Sequence, residues 1–107
     1  MAFFNSLGEI ASLIRSKNAG PFVLTFDIMF DKENKFNQVR KSGIINKSLI
    51  SRIYNIPEED ILLVYSKSAL AIKISIPRPT TQGDLRDSDS HGGQQFAPLV
   101  NIKIPIP

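Results

Sequence analysis

Cysteine and tryptophan are absent, and histidine occurs once, as His91. The lack of cysteine excludes disulfides, a thiolate nucleophile and zinc–thiolate centres together, and a single imidazole excludes a multi-histidine metal site within one chain. No apolar run approaches the ~18 residues that a bilayer-spanning helix needs. The opening stretch "MAFFNSLGEIASLIRS" has neither a basic leader nor a small-residue cleavage site, so a cytoplasmic chain without a membrane partner is expected. Dinucleotide and phosphate-loop fingerprints are also missing, as is a Gly-x-Ser-x-Gly elbow. A triad using Ser88 or Ser90 beside His91 would therefore need an orienting carboxylate from elsewhere, which disfavours an independent hydrolase.

What is present is a chain of 107 residues, 42% apolar and 21% charged, which fits one globular domain over residues 1–107 with one core. The net charge is +3, with lysine and arginine spread from Arg15 to Lys103 and densest between Lys32 and Arg52. So small a charge favours an acidic partner or a phosphate ligand only weakly, because salt screens it beyond about 8 Å.

The word "SLGE" at Ser6 to Glu9 reads as a capping box, and Leu7, Ile10, Leu13 and Ile14 recur at helical spacing. A helix is expected from here to "RSKNAGP", where cations suit the last turn and Gly20 and Pro21 stop it. "FVLTFDIMF" alternates strictly, with Phe22, Leu24, Phe26, Ile28 and Phe30 on one side, and reads as a strand. Asp31 is placed to cap a second helix carrying Phe36 and Val39 inward and closing at Gly43, and Asn46 to cap a third with Leu49, Ile50 and Ile53. "ILLVY" and "ALAIKISI" read as an antiparallel hairpin, and "LVNIKIPI" as a late edge strand, since its prolines cannot serve a central ladder.

The order helix, strand, helix pair, strand, strand, loop, strand predicts an α+β fold. It is an open-faced sandwich with a mixed four-stranded sheet and about three helices on one face, loosely ferredoxin-like, with a parallel pair across the helical crossover. If Phe26, Ile72 and Ile102 face the helices, then Val23, Thr25, Asp27, Met29, Ala69, Ala71, Lys73, Ser75, Asn101 and Lys103 face away. That mixture fits a solvated sheet face or a subunit interface.

Between the last two strands, "IPRPTTQGDLRDSDSHGGQQFAPL" lacks apolar periodicity and reads as a long polar loop over residues 77–98. Within it Asp87, Asp89 and His91 alternate before Gly92, like the first half of a calcium loop. The second half fails, because Pro98 stands where the bidentate glutamate belongs. Oxygen-rich coordination of a divalent metal through Asp87, Asp89 and His91, helped by Asp84, stays open beside a loop whose aspartates simply hold turns. "HGGQQ" offers backbone N–H groups and the Gln94 and Gln95 amides, with Arg78 and Arg86 adding charge, as a nest for a carboxylate or phosphate. Arg15, Lys17 and Asn18 raise the same question, although cations at a helix C-terminus are explained without any ligand. The helix pair with Gly43 at its turn and Lys47 and Arg52 on the second helix has the outline of a helix-turn-helix. Its apolar residues are needed inward, so nucleic acid is an unlikely partner.

"IRSKNAGPF", "DIMF", "ALAIKISIPRP", "GD", "GGQQFAPL" and "IKIP" occur in order from Ile14 to Pro105. Together they resemble the small domain-of-unknown-function family associated with acyclic terpene utilisation (AtuA-like) proteins. The resemblance implies a small accessory or regulatory subunit, beside or fused to a larger AtuA-like protein, in catabolic settings with acyl-CoA metabolism. Ligand-binding residues expected on this basis are Arg15, Lys17, Asn18, Arg78, Asp84, Gln94 and Gln95, around an acidic or CoA-linked metabolite. The competing expectation is a small homo-oligomeric enzyme with an inter-subunit site and a divalent metal. No cofactor beyond such a metal follows from the residues.

Overall fold

The structure is a computed structural model and describes residues 4–77 and 97–106. Alternation in "FVLTFDIMF" yields its central strand. In chain order the elements are β1 (Phe4–Ser6), α1 (Leu7–Ile10), β2 (Leu13–Asn18), β3 (Val23–Met29), α2 (Glu33–Ser42) and α3 (Lys47–Tyr54). A 3-10 turn (Glu58–Asp60) follows, then β4 (Leu62–Ser66), β5 (Ala71–Pro77), α4 (Ala97–Val100) and β6 (Lys103–Pro105). The main sheet has the order β2-β3-β5-β4, and β1 with β6 forms a separate two-stranded ribbon.

The α+β architecture with a four-stranded sheet is the expected one, while three of its parts differ from the sequence reading. Every neighbouring pair is antiparallel. β3 and β4 do run parallel across the helical crossover, but β5 lies between them, so no parallel ladder forms. The expected first helix ends at Ile10, and Leu13–Asn18 is a strand. Ser12 donates its N–H and its hydroxyl to the Met29 carbonyl, which starts the β2–β3 ladder, and pairing along all of β2 outweighs a local helical pattern that already contains Gly8. Gly20, at φ 102°, serves a hairpin turn in which Ala19 donates to the Val23 carbonyl, rather than ending a helix.

The third difference is at the C-terminal side. Leu99 and Val100 lie in a helical turn, and Lys103–Pro105 pairs with β1 instead of flanking the main sheet. Asn101 and Lys103 consequently do not stand on the sheet's outer face, and neither does Ala69, which lies in the turn between β4 and β5. Asp31 precedes the N-cap position, which Lys32 occupies, and forms an ion pair with Lys35 instead. Phe22, expected inward, sits before β3 and is exposed. Of the expected loop, Pro77 closes β5, Ala97 and Pro98 open α4, and residues 78–96 lie outside the described residues.

The core fills one side of the main sheet. Leu24, Phe26 and Ile28 of β3 and Ile72, Ile74 and Ile76 of β5 are buried together with Phe36 and Val39 of α2 and Ile50 and Tyr54 of α3. Phe26 packs against Tyr54 with ring centroids 5.1 Å apart, and Phe36 meets Phe30 and Tyr65 edge-on. The Tyr65 hydroxyl donates to the Ile45 carbonyl, tying β4 to the segment between the helices. Asn46 caps α3 as its sequence foretells, accepting from the Leu49 N–H at 2.8 Å. Burial pushes the Tyr54 hydroxyl well above the usual tyrosine range, which leaves it neutral within the core.

α1 is short, and two contacts hold it. Glu9 accepts from the Ser6 N–H and hydroxyl, each at 3.0 Å, which holds its carboxyl below its ordinary value. Gly8 lies against α4 so closely that a Cβ there would stand 2.6 Å from Val100 Cγ1 and 3.2 Å from the Val100 carbonyl. Gly8→Ala is expected to lower stability by about 1–2 kcal/mol. Adding Val100→Ala should recover part of that loss, and a denaturant double-mutant cycle measures the coupling. Because the Glu9 carboxyl is lowered, its stabilisation is present above the ordinary carboxylate value and is lost as pH falls through the lowered one. The stability gap between wild type and Glu9→Ala should therefore close on acidification, as read from thermal midpoints at neutral and acid pH.

Candidate open sheet face

The side chains of the main sheet that do not join the core form an outer face, and its content follows from register. Arg15, Asp27, Lys73 and Val64 lie in one row across β2, β3, β5 and β4, and Lys17, Thr25, Ser75 and Leu62 in the next. Leu13, Met29, Ala71 and Ser66 make the row on the other side of Arg15. The alternation in the sequence correctly turns Val23, Thr25, Asp27, Met29, Ala71, Lys73 and Ser75 this way.

No described helix covers this face, and four of its apolar residues lie open: Leu62 is 60% exposed, Leu13 45%, Val64 44% and Val23 37%, whereas Ala71 is buried. The polar middle is different. Asp27 is only 6% exposed, a short side chain in an interior strand between longer neighbours. One carboxylate oxygen accepts from Arg15 Nε at 3.4 Å, and the other, Oδ1, is buried with no hydrogen-bond partner among the described residues. Next to it Thr25 Oγ1 and Ser75 Oγ share a hydrogen bond at 3.3 Å across β3 and β5. Lys17 and Lys73 are exposed and make no ion pair among the described residues.

This changes what the cations of "RSKN" mean. They do not sit in the last turn of a helix, so a helix dipole cannot account for them. Arg15 and Lys17 share the open face, whereas Asn18 pairs with Leu24 and has the register of the opposite side. Lys73, Leu62 and Val64 complete the face and are not singled out by local motifs. The alternation within "LLVYS" is the signal that places Leu62 and Val64 there. Arg78, Asp84, Gln94 and Gln95, and the candidate metal ligands Asp87, Asp89 and His91, lie outside the described residues.

Elsewhere, Gln38, Lys41, Ser42, Pro105 and Ile106 line a cavity of about 220 Å³ between α2 and the end of β6. Pockets for metabolites usually measure about 300–1,000 Å³, so this one is small for such a ligand. Among the described residues no group of three histidine, aspartate or glutamate side chains comes together, and no helix is long and apolar enough to cross a membrane.

The fold and this face define a small α+β domain that presents one side of its sheet. Residues 7–103 match the domain of unknown function DUF4387, and the chain belongs to that family. None of the curated proteins and none of the solved structures matches it.

The Arg15–Asp27 pair is asymmetric, since the arginine side chain is 54% exposed and the aspartate side chain 8%. Removing Arg15 strands a covered carboxylate, while neutralising Asp27 releases an arginine already half in water. Arg15→Ala is expected to cost about 1 kcal/mol, discounted for the exposure of the arginine, and Asp27→Asn less. Urea midpoints of the two variants check the order.

Proposed function

We propose that the chain is an accessory or regulatory subunit that associates with a larger AtuA-like catabolic protein. The observation that carries this reading is the sheet face that no described helix covers, where exposed aliphatic side chains surround a polar middle. Flat, mixed surfaces of this kind suit protein contacts, whereas small molecules are held in concave pockets. The resemblance of the sequence to AtuA-associated domains supplies the identity of the partner. In this reading the segment bearing Arg78, Asp84, Gln94 and Gln95 borders a site for an acidic or CoA-linked metabolite in the assembled complex, with Arg15 and Lys17 adding positive charge.

Co-expression with the AtuA-like protein encoded nearest to this chain, with the affinity tag on this chain alone, is the test. Co-elution in a fixed ratio at moderate salt is expected. Gln94→Ala and Gln95→Ala should weaken it while leaving the thermal midpoint of the free chain unchanged. A chain that elutes without the larger protein as a tight homo-oligomer carrying a stoichiometric divalent ion would overturn the reading in favour of a small inter-subunit enzyme.

A further inference from the structure

The open face is chemically lopsided. Among the described residues it carries three cations, Arg15, Lys17 and Lys73, against the single acid Asp27, and that acid is covered. Two copies laid face to face would oppose cation to cation, so the face is not self-complementary in charge. A nucleic acid would use the lysines but has no role for the exposed Leu62 and Val64 along β4.

The Arg15–Asp27 bond, at 3.4 Å, is longer than the about 2.7–2.9 Å of a tight charge-assisted pair. Arg15 is thus loosely held, with its side chain 54% exposed. Asp27 retains a buried oxygen that lacks a donor among the described residues. A covered carboxylate with an unused acceptor, in the middle of a face whose other charges are all positive, needs a donor that reaches in between them.

We propose that this face is the docking surface for an acidic protein partner. The partner's carboxylates meet Arg15, Lys17 and Lys73, one of its own donors completes Asp27 Oδ1, and its apolar side chains cover Leu62 and Val64. This rests on the accessory-subunit reading for the identity of the partner, but not for the position or chemistry of the contact.

The experiment is site-specific photo-crosslinking in cells that express this chain with the AtuA-like protein. A benzophenone amino acid replaces Leu62 or Lys73 on the face, or Lys47 or Arg52 on α3 as controls, and mass spectrometry identifies the captured peptide. Cross-links from positions 62 and 73, and not from 47 and 52, to an acidic surface of the AtuA-like protein support both readings. With Lys17→Glu and Lys73→Glu together, the yield at position 62 should fall by about tenfold or more while the chain stays folded at the assay temperature, although Lys73→Glu faces Asp27 across β3 and β5 and lowers the thermal midpoint. Cross-links from the face to an acidic segment of another protein support the docking surface and overturn the choice of partner. Capture of the AtuA-like protein from positions 47 and 52 alone overturns the docking surface and leaves the subunit reading standing. Adducts to a second copy of this chain, to nucleic acid or to nothing overturn the docking surface, as does a yield that the double reversal leaves unchanged.

Discussion

The pairing of β3 with β5 is the constraint on which the rest of the molecule depends. Seven residue pairs, from Val23↔Pro77 to Met29↔Ala71, fix which side chains of the two interior strands share a face. In this register Leu24, Phe26, Ile28, Ile72, Ile74 and Ile76 all point to the helices. Each buried aliphatic or aromatic side chain contributes about 1.5–3 kcal/mol, against about 0–1 kcal/mol for an exposed ion pair such as Asp31–Lys35. A slip of one residue would expose the whole apolar set, so the register is heavily specified. The same register then determines the opposite face without further choice. Thr25, Asp27, Lys73 and Ser75 are brought together there as a by-product of burying their neighbours.

That linkage explains which parts of the fold are legible in the sequence. Strand β3, helix α3 with its Asn46 cap and the β4–β5 hairpin each carry one dominant local signal, and each lies where that signal puts it. β2 does not. Leu7, Ile10, Leu13 and Ile14 satisfy a helical spacing, and "NAGP" punctuates a helix end and a hairpin turn equally well. Only the ladder to β3, a tertiary fact, separates the two outcomes. β6 departs from its expected place for a related reason. Its alternation identifies a strand but names no neighbour, and β1, its partner, is only three residues long at the far end of the chain.

The candidate site follows the same division. The outward direction of Asp27 and Lys73 is read from alternation, yet their grouping with Arg15 and Lys17 needs β2 to be a strand. A helical β2 would have left those cations explained by its dipole, and the face would have lost its positive edge. Leu62 and Val64 become part of the same surface once β4 takes its place beside β5. The site is therefore a property of the assembled sheet rather than of any short motif, and membership in the DUF4387 family describes the chain without assigning it chemistry.

β4 has a further consequence. It is an outer strand of five residues, with β5 on one side and no strand paired on the other among the described residues, and it carries no charge of its own. Edges of that kind invite strand addition, and proteins usually blunt them with lysine or proline within the strand. Here Glu58, Glu59 and Asp60 precede it and Lys67 follows it, so a second copy added in parallel would set carboxylate beside carboxylate. The charges flanking this edge therefore discriminate against one orientation of strand addition, a constraint that the net charge of the chain does not supply.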